Sequence, residues 1–507
     1  MTESTTNKNL HLLRGHLLAR NVIWNLLGTV APLLVAVPAV PRLIHGMGID
    51  RFGVLTLAWV VIGYFGFFDL GLGRALTKLV AEKLGSGEAK EIPALVWTSL
   101  AIMLVLGCLG AVVFSISSPW LVRSVLRIPA GIQSETQQAF FVLSAALPIV
   151  ITSTGLRGML EAHQRFREVS ALRALLGVLT FGSPLLALPF SKSVVPAAVA
   201  LAISRLVVWI VSLVCCLRAF PELGRGVRIN FGFFPILIRF GFWMTISNVI
   251  SPLLAYTDRF VIGAMISVTA IAYYATPCEF VSKLLLIPGA LTSVLFPAFS
   301  TSFAQEPSNA TKFFERGTKF ALLALFPFAF VTVALAPQGL NLWLGAEFAK
   351  KSAPVLQWLT AGVLMNGLAQ VPFAQVQAAG RPDLTAKLHL LELPVYLVLL
   401  WFFVTNFGIM GAAIAWTARV TLDSVLLFLV AGRLLPGSAP GIRKVFLSCA
   451  GVLTLLILSA VLTPLSIKLV FLLVILSTFG MATWFVLLTP VEKAFMWDRE
   501  RSSLTAS

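Results

Sequence analysis

Fourteen stretches of this chain are long and apolar enough to cross a bilayer, and nothing else in the sequence restricts its fold so severely. A spanning helix needs about 20 mostly apolar residues. On that ruler the spans fall near 20–44, 52–79, 92–116, 136–160, 169–190, 194–217, 234–257, 270–298, 316–340, 353–376, 384–405, 408–432, 443–463 and 466–489. Hydrocarbon offers no partner to a bare peptide group, so such runs must be helices or a closed barrel, and runs of this length are helices. The expected fold is therefore all-α and polytopic. The segments between the runs are too short to fold alone, which leaves no room for an appended catalytic or nucleic-acid-binding domain. The first run spans about two dozen residues without a small-residue cleavage site, so it is expected to stay as a helix and not to leave as a signal peptide.

The charge balance fits that picture. The formal net charge is +17 while only 12% of residues are charged. In a soluble protein this excess would suggest nucleic acid, but here it sorts by side of the membrane. With a cytoplasmic amino terminus, 25 Lys and Arg fall on cytoplasmic segments and 9 on the opposite side. Basic residues collect on cytoplasmic loops, so an even number of spans with both termini cytoplasmic is expected. Four cations remain within or at the edge of apolar runs: Arg74, Arg205, Lys283 and Arg419.

A weak repeat divides the chain. Arg20 and Trp24 followed by Pro32-Leu33-Leu34 recur as Arg239 and Trp243 followed by Pro252-Leu253-Leu254. Ala75-Leu76-Thr77 recurs as Ala290-Leu291-Thr292, Ala162 and Arg165 as Ala378 and Arg381, and Arg205 as Arg419, all in one order at nearly one offset. Six helices per repeat give both halves the same orientation, related by an axis along the membrane normal. The expected organisation is a six-helix bundle over 1–230, a second over 231–440, and two further helices with a cytoplasmic tail over 441–507.

Ionisable groups inside a membrane are costly, so they face a cavity or a partner. Arg205 and Arg419 lie mid-helix at equivalent places, where together they could hold an anion. The alternative is that Asp423, at i+4, neutralises Arg419. Glu279 and Lys283 form another i,i+4 pair, open to ion coupling. Asp69 lies in an apolar run near Arg74 and Lys78, whose long stems could instead snorkel to headgroups. Asp258 and Arg259 are an outer gate pair or an interface pair. Prolines 32, 38, 41, 252 and 288 fall inside runs, where kinks serve moving parts or static packing. Asn21, Asn25 and Asn248 suit sugar hydroxyls or helix contacts. Histidines and cysteines are scattered without ligand spacing, so no metal site is expected, and no phosphate-loop motif is present. Nothing points to catalytic residues.

These residues carry a resemblance. The Arg20–Trp24 pattern, HGMGIDRFGVL (45–55), FFDLGLGRALTKLVAEKLG (67–85), LEAHQRF (160–166), RFGFWMTISNVISPLLAYTDRFVIG (239–263), IAYYATPCEF (271–280) and AAGRPDL (378–384) resemble the bacterial polysaccharide transporters. These are the O-antigen-type lipid-linked oligosaccharide flippases of the multidrug/oligosaccharidyl-lipid/polysaccharide exporter superfamily. The resemblance implies two bundles around a cationic cavity in the bacterial cytoplasmic (inner) membrane, and a glycan on polyprenyl diphosphate moved by alternating access. It implies no enzyme activity and no cofactor, with H+ or Na+ as the coupling ion. Glycosyltransferases and a polysaccharide polymerase are the implied partners, with no nucleic acid. On this reading Arg74, Arg205, Lys283, Arg419 and Arg259 bind substrate, and Asp69, Asp258, Glu279 and Asp423 couple ions or gate. The acids keep open a sister function, cation-coupled multidrug antiport, and a non-transporting scaffold is the third reading.

Overall fold

The computed structural model describes residues 31–490 and 493, apart from 66–68, 70, 86–87, 164, 236–253, 255, 306, 436–437 and 463. Asn21, Asn25, Asn248, Pro252 and the arginines and tryptophans that open the two repeats lie outside the described residues, as do the side chains of Arg74 and Lys78. Among the described residues every regular element is a helix.

The chain packs as two compact units, residues 1–275 and 276–507. The first unit contains α1 (Ala31–Met47), α2 (Ile49–Phe65), α3 (Leu72–Gly85), α4 (Ile92–Trp120), α5 (Ala130–Ala162), α6 (Phe166–Ala187) and α7 (Val194–Ala219). A further helix, α8, covers 256–265, and α9 (Val268–Ser282) runs on into the second unit. α5 is the hub, packing against α2, α3, α4, α6 and α7. Lipid tails supply no hydrophobic drive between helices, so association rests on close packing, which small residues allow. Gly158 shows the requirement: a Cβ there would stand 2.5 Å from the carbonyl oxygen of Gly73 on α3. Around it Leu76, Val80, Met159 and Leu160 close the core of this unit. The outer face of α4 instead exposes Leu109, Val112, Val113 and Ile116, a surface suited to lipid.

The second unit contains α10 (Leu286–Gln305), α11 (Pro307–Ala334), α12 (Ala336–Leu344), α13 (Ala346–Ala378), α14 (Pro382–Leu434), α15 (Ala439–Val461) and α16 (Leu465–Ala482). α13 is its hub, in contact with α10, α11, α12 and α14. α14 is two helices in one run, divided at Gly408 (φ 59°, ψ −137°). Such a backbone is open to glycine and strained for other residues. The eleventh and twelfth expected spans meet there.

Two expected spans are broken. The run 52–79 is not one helix: α2 stops at Phe65 and α3 starts at Leu72. Gly71 takes a left-handed φ of 71°, and Asp69 caps the new helix, accepting from the backbone N–H of Gly71 (2.9 Å) and of Gly73 (3.0 Å). The run 270–298 is likewise interrupted by a single 3-10 turn at Lys283–Leu285. Pro288 then falls in the first turn of α10, where a missing N–H breaks no helical hydrogen bond.

Candidate substrate-binding cavities

In the N-terminal unit α2, α5, α6 and α7 enclose a cavity of about 190 Å³. Arg157 of α5, Arg173 of α6 and Arg205 of α7 line it, with Thr154 and Ser153 between them. Arg157 and Arg173 stand in the bodies of their helices, one near the end of α5 and the other two turns into α6. The Arg157 guanidinium stands within electrostatic reach of both Arg173 and Arg205. Among the described residues no carboxylate comes within 4 Å of Arg157 or Arg205. One Nη of Arg205 donates to Thr180 Oγ1 at 3.2 Å, and its Nε is buried without a hydrogen-bond partner. Asp69 sits behind the cavity wall: Thr154 Oγ1 donates to its Oδ2 at 3.0 Å, and its charge reaches Arg157. Both its oxygens also serve the α3 cap, so the residue expected to couple ions is engaged by backbone.

A cluster of cations in a dry site is unfavourable by itself, because like charges repel more strongly as the local dielectric falls. The arrangement lowers in energy when an anion enters. A diphosphate fits the chemistry, since arginine presents paired N–H donors to phosphate oxygens.

The C-terminal unit treats its arginine differently. The two halves of α14 fold back at Gly408 and bring Arg419 Nη1 within 3.5 Å of Glu392 Oε2. The guanidinium also lies over the Tyr396 ring, 5.4 Å from its centre. Asp423 lies near Glu392, but among the described residues it makes no ion pair with Arg419 within 4 Å, so the expected i+4 neutralisation is replaced by one from Glu392. Arg419 thus has carboxylate company from across the turn, through Glu392, which the sequence reading passed over. A second cavity of about 510 Å³ opens beside it, reached by His389 and Asp423.

The other expected site residues are spread out. Asp258 is 1% exposed and accepts from the Arg259 backbone N–H (2.7 Å) and from Tyr274 OH (2.5 Å). Arg259 lies over the Tyr256 ring at 5.1 Å. Lys283 and Glu279 face each other at 3.7 Å with both side chains more than a third exposed. The structure therefore gathers Arg205 with the unforeseen Arg157 and Arg173, and Arg419 with Asp423 and the unforeseen Glu392. The one available signal for Arg157 was its place within a turn or two of an apolar run's end, where a cation reads equally as a loop residue.

Residues 18–303 match the family described as polysaccharide biosynthesis protein. A Shigella flexneri protein that carries the name of an O-antigen transporter is 32% identical over 412 residues, 80% of this chain and 96% of its own. A Haloferax volcanii protein named as a low-salt glycan biosynthesis flippase is 22% identical over 384 residues, 75% of this chain and 76% of its own. Among solved structures, the lipid II flippase MurJ in an inward closed conformation superposes with a TM-score of 0.70 at 12% identity, over 92% of this chain and 99% of that one. An inward-facing multidrug resistance transporter of the MATE family, in the MOP superfamily, gives 0.67 at 15% identity over 83% and 99%. At these identities the two structures establish a shared fold. Sequence and fold together place the chain: it is a polytopic, all-helical membrane protein and belongs to the polysaccharide biosynthesis protein family.

Proposed function

We propose that this protein is a flippase, moving a polyprenyl-diphosphate-linked oligosaccharide across the bacterial cytoplasmic membrane for assembly of a cell-surface polysaccharide. The observation that carries the reading is the cavity of Arg157, Arg173 and Arg205, a cationic site within the helices where Arg157 and Arg205 have no acidic partner within 4 Å among the described residues. The names of the Shigella and Haloferax relatives, both transport proteins for glycans, support it. Alternating access between bundles over 1–230 and 231–440, with both termini cytoplasmic, is the proposed movement. Arg205 holds the diphosphate in this scheme, with Arg157 and Arg173 beside it, and a H+ or Na+ gradient drives the cycle. Asp258, Arg259, Glu279, Lys283 and Arg74 are proposed gating or lining residues. The glycosyltransferases that build the glycan and the polymerase that extends it are the proposed neighbours in the membrane. Transport of this kind breaks no covalent bond, so the protein is proposed as a transporter and not an enzyme.

Cells that lack their own flippase and carry the cognate glycan genes provide the test. Wild-type protein should restore surface glycan, and Arg205→Ala should lower it at least about tenfold, the factor that follows from loss of one charge-assisted phosphate contact. Restoration by Arg205→Ala to the wild-type level would end the anion-clamp reading. Uptake of a cationic dye by the wild-type protein, with no glycan at the surface, would point to drug antiport instead.

A further inference from the structure

The larger cavity, in the C-terminal unit, contains no cluster of cations and calls for a different ligand. Its wall on α13 carries Asn366, Gln370, Phe373 and Gln377. Their spacing of i, i+4, i+7 and i+11 puts all four on one helix face. The opposite wall supplies His389 and Asp423 from α14. The three side-chain amides make no hydrogen bond among the described residues, although α13 is the most buried helix of its unit. Asp423 is 9% exposed and its Oδ1 is buried without a partner. The Phe373 and His389 rings lie nearly parallel, 16° apart with centres separated by 6.1 Å.

We propose that this cavity is a saccharide subsite, which receives sugar residues of the transported glycan. The proposal rests on the flippase reading for its substrate. Sugar hydroxyls both donate and accept, and a side-chain amide offers a donor and an acceptor side by side, so the two match in pairs. A buried carboxylate oxygen without a partner accepts one further hydroxyl, satisfying a group that is otherwise costly. The C–H faces of a pyranose carry slight positive charge and settle on the negative face of an aromatic ring, for which Phe373 and His389 are placed.

A coupling cation suits the cavity less well. An ion site draws several oxygens to within about 2.3–2.6 Å of one point, whereas this space of about 510 Å³ separates its polar groups along three turns of α13. Arg419 already acts electrostatically on His389 in the cavity wall and would repel a second cation. Among the described residues no group of three His, Cys, Asp or Glu gathers in a metal-binding arrangement.

The test uses the full-length protein in nanodiscs with two separate probes. Saturation-transfer NMR reads binding of free hexoses, 6-deoxyhexoses and N-acetylhexosamines, and a pull-down reads binding of undecaprenyl diphosphate, which has the anion without the sugar. At least one sugar class should bind the wild type. Asn366→Ala and Gln370→Ala should each weaken it about fivefold, as loss of one hydrogen bond does, and Gln370→Asn should recover part of the loss. Both alanine variants should still bind undecaprenyl diphosphate, which also shows that they are folded. Arg205→Ala should do the reverse, losing the diphosphate and keeping the sugar. Absence of sugar binding by the wild type, unchanged sugar binding by the amide variants, or displacement of the sugar by Na+ at Asp423 would each overturn the subsite. Diphosphate binding that survives Arg205→Ala would instead overturn the flippase reading's anion clamp and leave the sugar result standing.

Discussion

In the N-terminal unit Arg205 shares a small cavity with two further arginines, and among the described residues no carboxylate comes within 4 Å of it. In the C-terminal unit Arg419, its counterpart in the sequence repeat, lies 3.5 Å from Glu392 and over Tyr396. The same residue type at the same place in two repeats therefore faces opposite electrostatic surroundings. A paired buried charge is part of the structure, because its partner would be left uncompensated without it. An unpaired one is held in place by the rest of the fold and has its free energy lowered when a ligand arrives. On the function proposed above, the difference separates a residue that binds from one that holds two helices together.

The comparison can be broken most decisively at Arg419. Arg419→Ala leaves Glu392 and Asp423 buried without a cation and should destabilise the protein by about 3–5 kcal/mol, read as a fall in its melting temperature in detergent. Arg205→Ala should leave that temperature nearly unchanged while surface glycan falls. If Arg205→Ala is the less stable of the two, the contrast is wrong. The triple change Arg419→Leu, Glu392→Leu, Asp423→Leu should recover most of the stability lost in Arg419→Ala, since an ion cluster replaced as a whole by apolar groups is often neutral.

Gly158 provides the next effect. A side chain there would meet the Gly73 carbonyl oxygen at 2.5 Å, so Gly158→Leu should push α3 from α5 and cost about 1–3 kcal/mol, measured as lost protein in the membrane fraction. An unaltered level would mean the helices have room to part.

Asp69 gives a smaller and sharper distinction. As a cap it is replaced in part by Asn, whose single side-chain oxygen keeps one of the two backbone bonds, whereas Asp69→Ala loses both and should cost about 1–2 kcal/mol. As a coupling residue it is not replaceable by Asn, because Asn has no charge to neutralise. Transport by Asp69→Asn near the wild-type level establishes the cap; transport abolished in a protein of normal stability establishes coupling. Smallest of all, Lys283→Gln should change stability by no more than about 0.5 kcal/mol, since its partner Glu279 is 3.7 Å away and both are partly exposed.

Particular residues show where sequence and structure part. The turn at Gly408 was legible, because a short polar stretch with glycine separates two apolar runs and the φ of 59° is one that glycine adopts freely. The break before α3 was legible in principle. The string Asp69-Leu70-Gly71-Leu72-Gly73 combines a capping residue with a glycine that can take positive φ, yet strong hydropathy on both sides masked it. Arg157 and Arg173 were not singled out because each lies within about a turn of an apolar run's end, where a positive-inside count does not separate a cavity-lining cation from one at the interface. The face of Asn366, Gln370, Phe373 and Gln377 was readable as a helical period, but its polar members are few among apolar neighbours.

The sequence by itself determined the all-helical class and the polytopic, membrane-spanning character of the chain. Transfer of a segment into lipid depends on that segment's own side chains and backbone, so it can be read locally. Only the tertiary structure decided which charges are paired. Glu392 stands 27 positions from Arg419, and Thr154 stands 85 from the Asp69 carboxylate it binds. Those meetings depend on where a chain turns and which helix faces touch. Electrostatic energy depends on distances in space, and one-dimensional order does not encode them.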